Sequence, residues 1–237
     1  MRHFKTNAII YATKSFKDHD KFLSLMQEDG RRIDAKIRKA RHTNTKWGSL
    51  TEPVSVVSLM LYEKSNHYTV TGISLIEHFE SIDKDYKKML ACEVIAETIN
   101  NTTPYGVAED GNFDIVYDIF SILDNTNDAI LTINIFFSKI ILAAGYSIDL
   151  DYCGVCGSSI DNDCYFDVEL GSTLCNNCHT PNRISLPNFA RLALKDIIGG
   201  KLSTYDKKLM IGINILLERI VEHHFGFRSR CSLHLRE

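Results

Sequence analysis

Two cysteine pairs offer the clearest chemistry in the sequence. Two residues separate the members of each pair and eighteen residues separate the pairs, which are Cys153 with Cys156 and Cys175 with Cys178. A Cys-x-x-Cys turn can direct two thiolates at one ion, and two such turns supply the four sulfurs of a tetrahedral zinc site. A site filled by four protein ligands leaves no position for a substrate. The spacing therefore predicts one structural Zn²⁺ ion held by these four cysteines.

Disulfides are the alternative use of this spacing, and the rest of the sequence argues against them. Residues 1–7 lack the apolar stretch of a secretory signal, so we expect a cytoplasmic protein with reduced thiols. The chain has seven cysteines, and an odd number does not fit a disulfide framework. We expect Cys92, Cys164 and Cys231 to be free thiols. Cys164 and His179 lie close enough in sequence to the pairs to serve as substitute metal ligands.

A second group of side chains is strongly basic. The net charge of the chain is −3, but residues 31–46 contain seven Lys and Arg against one Asp, so this segment carries +6 and the remainder −9. Charge this polarised creates a local field that attracts phosphate groups. The sequence predicts that these side chains bind the backbone of nucleic acid with little sequence preference. They are Arg31, Arg32, Lys36, Arg38, Lys39, Arg41 and Lys46.

Two alternatives stay open at this segment. Surface strands also carry Lys and Arg to remain soluble and to block edge pairing, a role that needs no ligand. Trp47 follows the segment and is the only tryptophan of the chain. Its ring is placed either to stack on a nucleobase or to pack in the core.

Period-two patterning indicates that the basic segment begins in a β-strand. Ile33, Ala35 and Ile37 alternate with charged side chains, which turns the apolar set inward and the charged set outward. Breaks that include residues 65–66 and Gly72 divide the N-terminal region into about five short strands, the number of a small Greek-key barrel. A fragment of a β-sandwich is the alternative architecture.

Helical patterning begins near residue 84, where apolar residues start to recur every three or four positions. The most apolar stretch, 129–144, is too short for a bilayer and is expected to be a buried helix. Further helical patterns at 187–198 and 206–225 follow the cysteines. The sequence thus predicts a barrel domain, a helical domain and a zinc module inserted in the latter, at 1–80, 81–237 and 150–182.

Catalytic motifs are missing from the sequence. It has neither common phosphate-binding glycine loop, no His-Glu-x-x-His zinc motif and no Gly-x-Ser-x-Gly nucleophile turn. We therefore expect a protein that is not an enzyme. One alternative is a zinc-ribbon enzyme that processes nucleotides or nucleic acids, which turnover with Mg²⁺ and ATP would reveal. Another is a protein-interaction adaptor without affinity for DNA.

Four stretches, in this order, resemble the family of bacterial RecO recombination mediators along nearly the whole chain. The first runs from Glu-Asp-Gly-Arg-Arg at 28–32 into Lys-Ala-Arg at 39–41 and is similar to the family's HGR…KGARR segment, although Arg-Lys-Ala-Arg-His at 38–42 lacks the glycine. The others are Leu-Thr-Glu-Pro-Val-Ser at 50–55 leading to Leu-Tyr at 61–62, the cysteine pairs with Phe-Asp at 166–167 and Gly171, and Glu-His-His-Phe-Gly at 222–226.

The resemblance implies a fold and a function. The fold is α+β, a five-stranded OB-fold barrel followed by an all-α domain with an inserted zinc module of four cysteine ligands. The function is DNA repair: a RecO-type protein binds single- and double-stranded DNA, anneals complementary strands and acts with RecR to load RecA onto DNA covered by single-strand-binding protein. The resemblance also implies a groove between helices for the C-terminal tail of single-strand-binding protein, and a cytoplasmic protein associated with the nucleoid and not with a membrane.

Overall fold

The computed structural model describes residues 1–40, 47–181 and 183–237. Contacts between Cα atoms divide the chain into two compact units, Met1–Asn127 and Asp128–Glu237. The first unit contains a β-barrel and two long helices, and the second contains four helices and a small sheet among its described residues. The domain boundary near residue 80 that the sequence predicts stays a prediction.

Five strands build the barrel: β1 Arg2–Phe16, β2 Asp20–Gln27, β3 Arg32–Ile37, β4 Ser55–Lys64 and β5 His67–His78. They pair in the order β1-β2-β3-β5-β4, and β4 returns to pair with β1. These pairings are antiparallel except that of β3 with β5, which is parallel and covers only two residues of each strand. A five-stranded Greek-key barrel with one short seam is the arrangement of an OB-fold, so the predicted fold class is confirmed.

The alternation predicted for β3 determines which of its side chains reach the surface. Ile33, Ala35 and Ile37 are fully buried in the barrel core, together with Leu23 and Leu25 of the neighbouring strand. Burial of one aliphatic side chain stabilises the fold by about 2 kcal/mol. A register shift of one residue would expose this whole row, so the outward direction of the charged row is strongly specified.

The structure confirms the predicted strand break at residues 65–66 and contradicts the one at Gly72. Ser65 and Asn66 both have positive φ angles, 51° and 59°, and form the two-residue turn between β4 and β5. Gly72 does not break a strand, so that prediction is wrong. It pairs with Met60 inside β5, next to a bulge at which Leu61 already pairs with Val70. The glycine marks a local irregularity of the ladder and not its end.

Two helices complete the first unit, α1 Tyr86–Thr102 and α2 Asn112–Asn125. The segment between them, 103–111, lies against the start of β3. The amide of Gly106 donates to the carbonyl oxygen of Arg32 (2.8 Å), and Tyr105 forms a bridge with the same strand residue. A Cβ atom at Gly30 would collide with the carbonyl group of Glu109, so the close approach depends on a glycine at that position.

The second unit combines helices α3 Ala129–Ala143, α4 Asn188–Ile198, α5 Lys207–Phe225 and α6 Cys231–Leu235. Between α3 and α4 the chain forms a sheet in the order β6-β8-β7-β9, from β6 Asp149–Cys153, β7 Cys164–Asp167, β8 Ser172–Leu174 and β9 Ile184–Leu186. Pro187 and Asp206 precede α4 and α5, and Gly226, with φ of 64°, ends α5. The helical patterns that follow the cysteine segment therefore predicted real helices.

The apolar stretch at 129–144 forms α3, which packs against α4 and α5 and is buried along most of its length. Over the ranges that the structure describes, no helix combines the length and apolarity needed to cross a membrane.

A ladder of buried polar side chains joins α3, α5 and α6. Asn134 donates to the carbonyl oxygen of Met210 (3.0 Å) and accepts from Asn214 Nδ2 (2.8 Å). Arg236 donates from Nε to Asn214 Oδ1 (2.8 Å) and from Nη2 to Glu218 Oε2 (2.6 Å). Glu218 is only 2% exposed, so this ion pair lies in a region of low dielectric. The C-terminal helix is thereby tied to the centre of the unit.

Candidate metal centre and nucleic-acid interface

The structure brings the sulfurs of Cys153, Cys156, Cys175 and Cys178 together, with all four Sγ atoms within 4.8 Å of one another. The Sγ atoms of Cys156 and Cys175 are 3.8 Å apart. A tetrahedron of thiolates at a Zn–S distance of about 2.3 Å has edges of about 3.8 Å, so the cluster fits a tetrahedral ion of this size. Four cysteines this close are compatible with a bound metal, and its identity as zinc stays a prediction.

Local backbone geometry turns each cysteine pair toward the centre. The amide of Gly157 donates to the carbonyl oxygen of Cys153 (2.8 Å), with Gly157 at a φ of 72°. The amide of Cys178 donates to the carbonyl oxygen of Cys175 (3.1 Å), and the amide of Cys175 donates to Cys153 Sγ (3.4 Å). The end of β6 and the turn after β8 thus place their first cysteines beside each other.

The surroundings of the cluster move the pKa values of Cys153 and Cys178 in opposite directions. Burial raises the pKa of Cys153, but amide groups of Cys156, Cys175 and Val155 outweigh burial and bring this pKa to about 6. The neighbouring sulfurs of Cys156 and Cys175 raise the pKa of Cys178 to about 12. At neutral pH the metal-free cluster therefore retains at least one proton, which a divalent cation would displace.

The two substitute ligands have other contacts. Cys164 is 3% exposed, donates to the carbonyl oxygen of Leu186 (3.4 Å), and has a pKa that burial raises to about 11. The ring of His179 stacks on Tyr165 with centroids 3.9 Å apart, and its Nδ1 lies 2.9 Å from the carbonyl oxygen of Asn176. Neither residue is part of the sulfur cluster.

The predicted basic residues occupy two different environments. At the start of β3, Arg32 donates from Nη1 to Asn100 Oδ1 (2.8 Å), and its guanidinium lies 5.4 Å from the centre of the Tyr105 ring. Arg31 forms an ion pair with Asp29 (3.4 Å). These two side chains are already engaged by the protein, so their freedom to bind a ligand is limited.

A group of three cations lies at the other end of β3 and is called here the basic cluster: Lys36, Arg38 and Lys39. Lys36 Nζ is 2.9 Å from Asp20 Oδ2, and the amide of Lys39 donates to Asp20 Oδ1 (3.1 Å). These two hydrogen bonds lower the pKa of Asp20, and the charge of Arg38 contributes. Arg38 and Lys39 are exposed. The remaining two predicted cations, Arg41 and Lys46, lie outside the described residues.

Trp47 was one candidate for base stacking, and the structure places two other aromatic rings near the cations. Trp47 is partly buried and packs against the barrel core, which favours the core alternative. Two other aromatic rings, Phe16 and Phe22, meet edge to face with centroids 4.9 Å apart. Lys36 Nζ lies 4.9 Å from the centre of the Phe16 ring. Sequence reasoning missed this pair, although each of the two Phe residues is adjacent to a Lys, one on either side of a short turn.

Ser55, His78 and Asp83 form a hydrogen-bonded series of the kind used in nucleophilic catalysis. Ser55 Oγ lies 2.8 Å from His78 Nδ1, and His78 Nε2 lies 2.8 Å from Asp83 Oδ2. Ser55 is only 2% exposed, so its hydroxyl is not accessible to a substrate. The series instead connects β4 and β5 to the residues just before α1.

An apolar groove lies within the second unit, between α5 and the junction of β9 with α4. Its volume is about 470 Å³. Phe189 stands at its edge with 65% of its surface exposed, and Asp206 and Lys208 provide charges at the border. The apolar lining includes Leu186, Pro187, Leu209, Ile213 and Leu216.

Comparisons with known proteins cover nearly the whole chain. The family model described as the N-terminal part of recombination protein O matches residues 1–79, and the model of its C-terminal part matches residues 83–224. The two matches meet where the barrel gives way to α1.

Relatives named DNA repair protein RecO come from several bacterial groups. The protein of Caldanaerobacter subterraneus is 28% identical over 187 residues, which is 76% of this chain and 72% of the relative. That of a Thermoanaerobacter species is 27% identical over 75% of this chain and 72% of its own length. The Streptomyces avermitilis protein is 22% identical, over 87% of this chain and 86% of its own.

Proposed function

The chain belongs to the RecO family of DNA repair proteins, and on this premise we propose that it binds single- and double-stranded DNA, anneals complementary strands and, with RecR, helps to load RecA onto DNA covered by single-strand-binding protein. It does this without catalysing a reaction. The observation that carries the proposal is the basic cluster at the end of β3, where Lys36 pairs with Asp20 and the side chains of Arg38 and Lys39 are exposed. A protein of this function works in the cytoplasm, at the nucleoid.

DNA binding follows from charge neutralisation. Lys and Arg side chains that contact phosphates release condensed counterions, which drives association at low salt. Arg38 and Lys39 are exposed, and contacts to phosphates carry no sequence information, so we expect little sequence preference. Arg41 and Lys46 continue the same basic segment in the sequence and are proposed to bind phosphates as well, and Arg31 and Arg32 contribute charge.

Annealing follows from the same charges. Two complementary strands repel each other through their phosphates, and cations placed between them lower this repulsion. Lys36 and Arg38 lie on a barrel surface that is held rigid by the buried row of β3. A rigid cationic surface can hold two backbones near each other without pairing to either sequence, which raises the rate at which matching bases meet.

Zinc has a structural role in this proposal. The four cysteines would hold one Zn²⁺ ion, which supplies cross-linking energy to a sheet whose strands β7, β8 and β9 are only three or four residues long. Metal binding of this kind contributes about 10–16 kcal/mol in isolated zinc peptides. The second unit can then present fixed surfaces to protein partners.

The apolar groove beside α5 is the proposed dock for the C-terminal tail of single-strand-binding protein. It is open at Phe189, and Lys208 offers a cation at the border for a tail carboxylate. We expect Phe189→Ala to weaken binding of a tail peptide by about tenfold, since a large aromatic contact is lost. Leu202→Ala is the control, because Leu202 is also exposed in this unit but does not line the groove. Equal peptide affinity of both variants, measured by fluorescence anisotropy, would exclude this dock.

DNA binding is tested by removing charge from Arg38 and Lys39 of the basic cluster and from Arg41, which follows them in the sequence. We expect the triple variant Arg38→Gln, Lys39→Gln, Arg41→Gln to bind DNA at least about tenfold more weakly at low salt. The slope of log affinity against log salt for a single strand is expected near −3.5 for about five contacts, and to fall in magnitude by about 2 in the variant. Anisotropy with a labelled oligonucleotide measures both quantities.

The control variant removes two exposed lysines elsewhere in the first unit, Lys84→Gln with Lys87→Gln. It is expected to keep the affinity and the annealing rate nearly unchanged. A salt slope near zero in the unmodified protein, or equal losses in both variants, would rule out the basic cluster as the DNA-binding surface.

An enzyme that processes nucleotides or nucleic acids is the competing function. Incubation of the purified protein with Mg²⁺, ATP and labelled DNA tests it directly. Hydrolysis that co-purifies with the protein would replace the non-catalytic proposal, and its loss in Ser55→Ala would assign it to the series at Ser55. The burial of Ser55 leads us to expect no turnover in either protein.

A further inference from the structure

Phe16 and Phe22 lie on the outside of the barrel, where a core role does not explain them. Leu23 and Leu25 of β2 are fully buried, so Phe22, one residue before Leu23, points to the opposite face. Phe16 ends β1 on the other side of a three-residue turn, and both rings remain partly exposed. The two rings contact each other in an edge-to-face arrangement with centroids 4.9 Å apart.

Cations surround this aromatic pair. Lys36 lies directly opposite Phe22 in the pairing of β2 with β3, and its ammonium is 4.9 Å from the centre of the Phe16 ring. Lys17 places a second ammonium 5.5 Å from the same ring. Lys14 lies opposite Phe22 on the β1 side. Side chains opposite each other in a sheet are about 5 Å apart, so rings and ammonium groups form one continuous surface.

The basic cluster adjoins the same surface. Asp20, which pairs with Phe16 across the turn, accepts from Lys36 and from the amide of Lys39. Phosphate groups can therefore be held at the basic cluster while their bases reach the two rings. This arrangement combines the two parts of a single-strand site, a cationic path for the backbone and aromatic faces for the bases.

We propose that Phe16 and Phe22 form a stacking platform for the unpaired bases of single-stranded DNA. This inference rests on the proposed DNA-binding function and adds to it a means of distinguishing strand types. Bases in a duplex are covered by their neighbours, so they cannot reach the rings, and the platform contributes to single-strand affinity alone. The phosphate contacts, by comparison, serve both kinds of DNA.

Two acids near this surface, Asp20 and Asp34, do not prevent such binding. Asp20 is held by Lys36 and Lys39, and Asp34 accepts a hydrogen bond from Ser24 Oγ (2.7 Å) on the strand beside the rings. A phosphate that approaches Lys36 takes the place of the Asp20 carboxylate beside the Lys36 ammonium group. Lys side chains are flexible enough to move from above the Phe16 ring to the flanking phosphate when a base takes that place.

The first experiment uses the unmodified protein and two single strands of equal length, one of thymidine nucleotides and one with abasic sites throughout. Both strands carry the same phosphates, so a difference in affinity reports base contacts. We expect the thymine strand to bind about 5- to 100-fold more tightly, the range of base–aromatic stacking. Equal affinities for the two strands would overturn the platform while leaving the phosphate-binding proposal intact. If the protein bound neither the two single strands nor duplex DNA, the platform and the phosphate-binding proposal would both be overturned.

The second experiment removes the rings but keeps their apolar bulk, in the double variant Phe16→Leu, Phe22→Leu. The thymine strand is expected to lose most of its advantage over the abasic strand, while affinity for duplex DNA changes less than about twofold. The control is Phe113→Leu, which replaces a partly buried ring of the same unit that stacks on Tyr117 without a neighbouring Lys. Parallel losses for single strands and duplex, with normal thermal unfolding, would overturn the stacking role.

Discussion

Asp20 is the acid that two residues of the basic cluster contact. Its carboxylate accepts from Lys36 and from the Lys39 amide, and it partly cancels the positive charge that would meet a phosphate. These contacts lower the pKa of Asp20 and so favour its ionised form. We therefore expect this single acid to weaken the proposed binding of DNA at the basic cluster.

We expect Asp20→Asn to bind DNA about two- to fivefold more tightly, the range of an ion pair at the protein surface, because the amide oxygen still accepts from the Lys39 amide while the negative charge is gone. Anisotropy at low salt measures the change. Asp114→Asn, an exposed acid on α2, is the control for net charge. Equal tightening in both variants would assign the effect to overall charge and not to the basic cluster.

The same carboxylate has a defined pH dependence. Its folded pKa lies below its unfolded value, so its contribution to stability is complete above about pH 4 and is lost as the pH falls through the folded pKa. The difference in unfolding free energy between the protein and Asp20→Asn is therefore expected to shrink on acidification below pH 4 or so. Denaturant unfolding over this range measures it, and a difference that grows instead would contradict the assigned contacts.

Gly154, in the first cysteine turn, lies close to the side chain of Ser172. A Cβ atom there would collide with Ser172 Oγ on β8. We expect Gly154→Ala to displace Cys153 or Cys156 and to lower the metal content of purified protein severalfold, as measured by elemental analysis. Gly212→Ala, at an exposed helical position with open space around it, is expected to leave metal content unchanged. Full metal content in Gly154→Ala would show that the sheet can adapt.

At the scale of elements, periodicity in the sequence predicted the strands and helices well. The alternation of Ile33, Ala35 and Ile37 gave the direction of every outward side chain in β3. Pro187 and Gly226 marked a helix start and a helix end, because proline suits a helix start and glycine tolerates the left-handed backbone at its end. Such signals are local, so a single sequence carries them.

Contacts between elements that are distant in sequence could not be predicted from periodicity. Period two shows that Arg32 and Lys36 both face outward, but it does not show that Tyr105 covers the first while the second stays near two phenylalanine rings. The cysteine cluster was an exception, since its spacing encodes a metal's coordination geometry. Long-range polar contacts such as the ladder at Glu218 have no comparable local signature.

We expect Arg236→Met to lower the unfolding free energy by about 3 kcal/mol, because the carboxylate of Glu218, at 2% exposed, loses its shorter ion pair. Arg228, at 3.3 Å, is left as its charged partner. Arg219→Met, at an exposed position of α5, is the matched control and is expected to change stability by less than about 0.5 kcal/mol. Denaturant unfolding distinguishes them, and equal effects would show that the ladder does not stabilise the unit.

At the scale of the whole molecule, the two compact units divide the proposed work. The basic cluster belongs to Met1–Asn127 and the cysteine cluster to Asp128–Glu237. Charge is likewise uneven, since a segment of +6 belongs to a chain of −3. Damage to one unit is therefore expected to spare the activity of the other.

Cys175→Ser tests this division. Loss of one sulfur is expected to lower metal content and thermal stability, because a structural metal contributes folding energy directly. Affinity for a single-stranded oligonucleotide is expected to stay within about twofold of the unmodified protein, since phosphate contacts come from the other unit. Elemental analysis, thermal unfolding and anisotropy on the same sample give the three values. Loss of DNA affinity in proportion to metal would place part of the DNA surface on the zinc module.

The segment that lies against β3 has a consequence for biosynthesis. Tyr105, Gly106 and Glu109 complete the contacts at the start of this strand, yet they follow it by about seventy positions in the chain. During synthesis, the start of β3 would stay exposed until α1 and the residues after it had left the ribosomal exit tunnel. A fragment that ends just after β5 would lack these contacts altogether. A boundary beyond α2 is therefore the better choice for an expressed fragment.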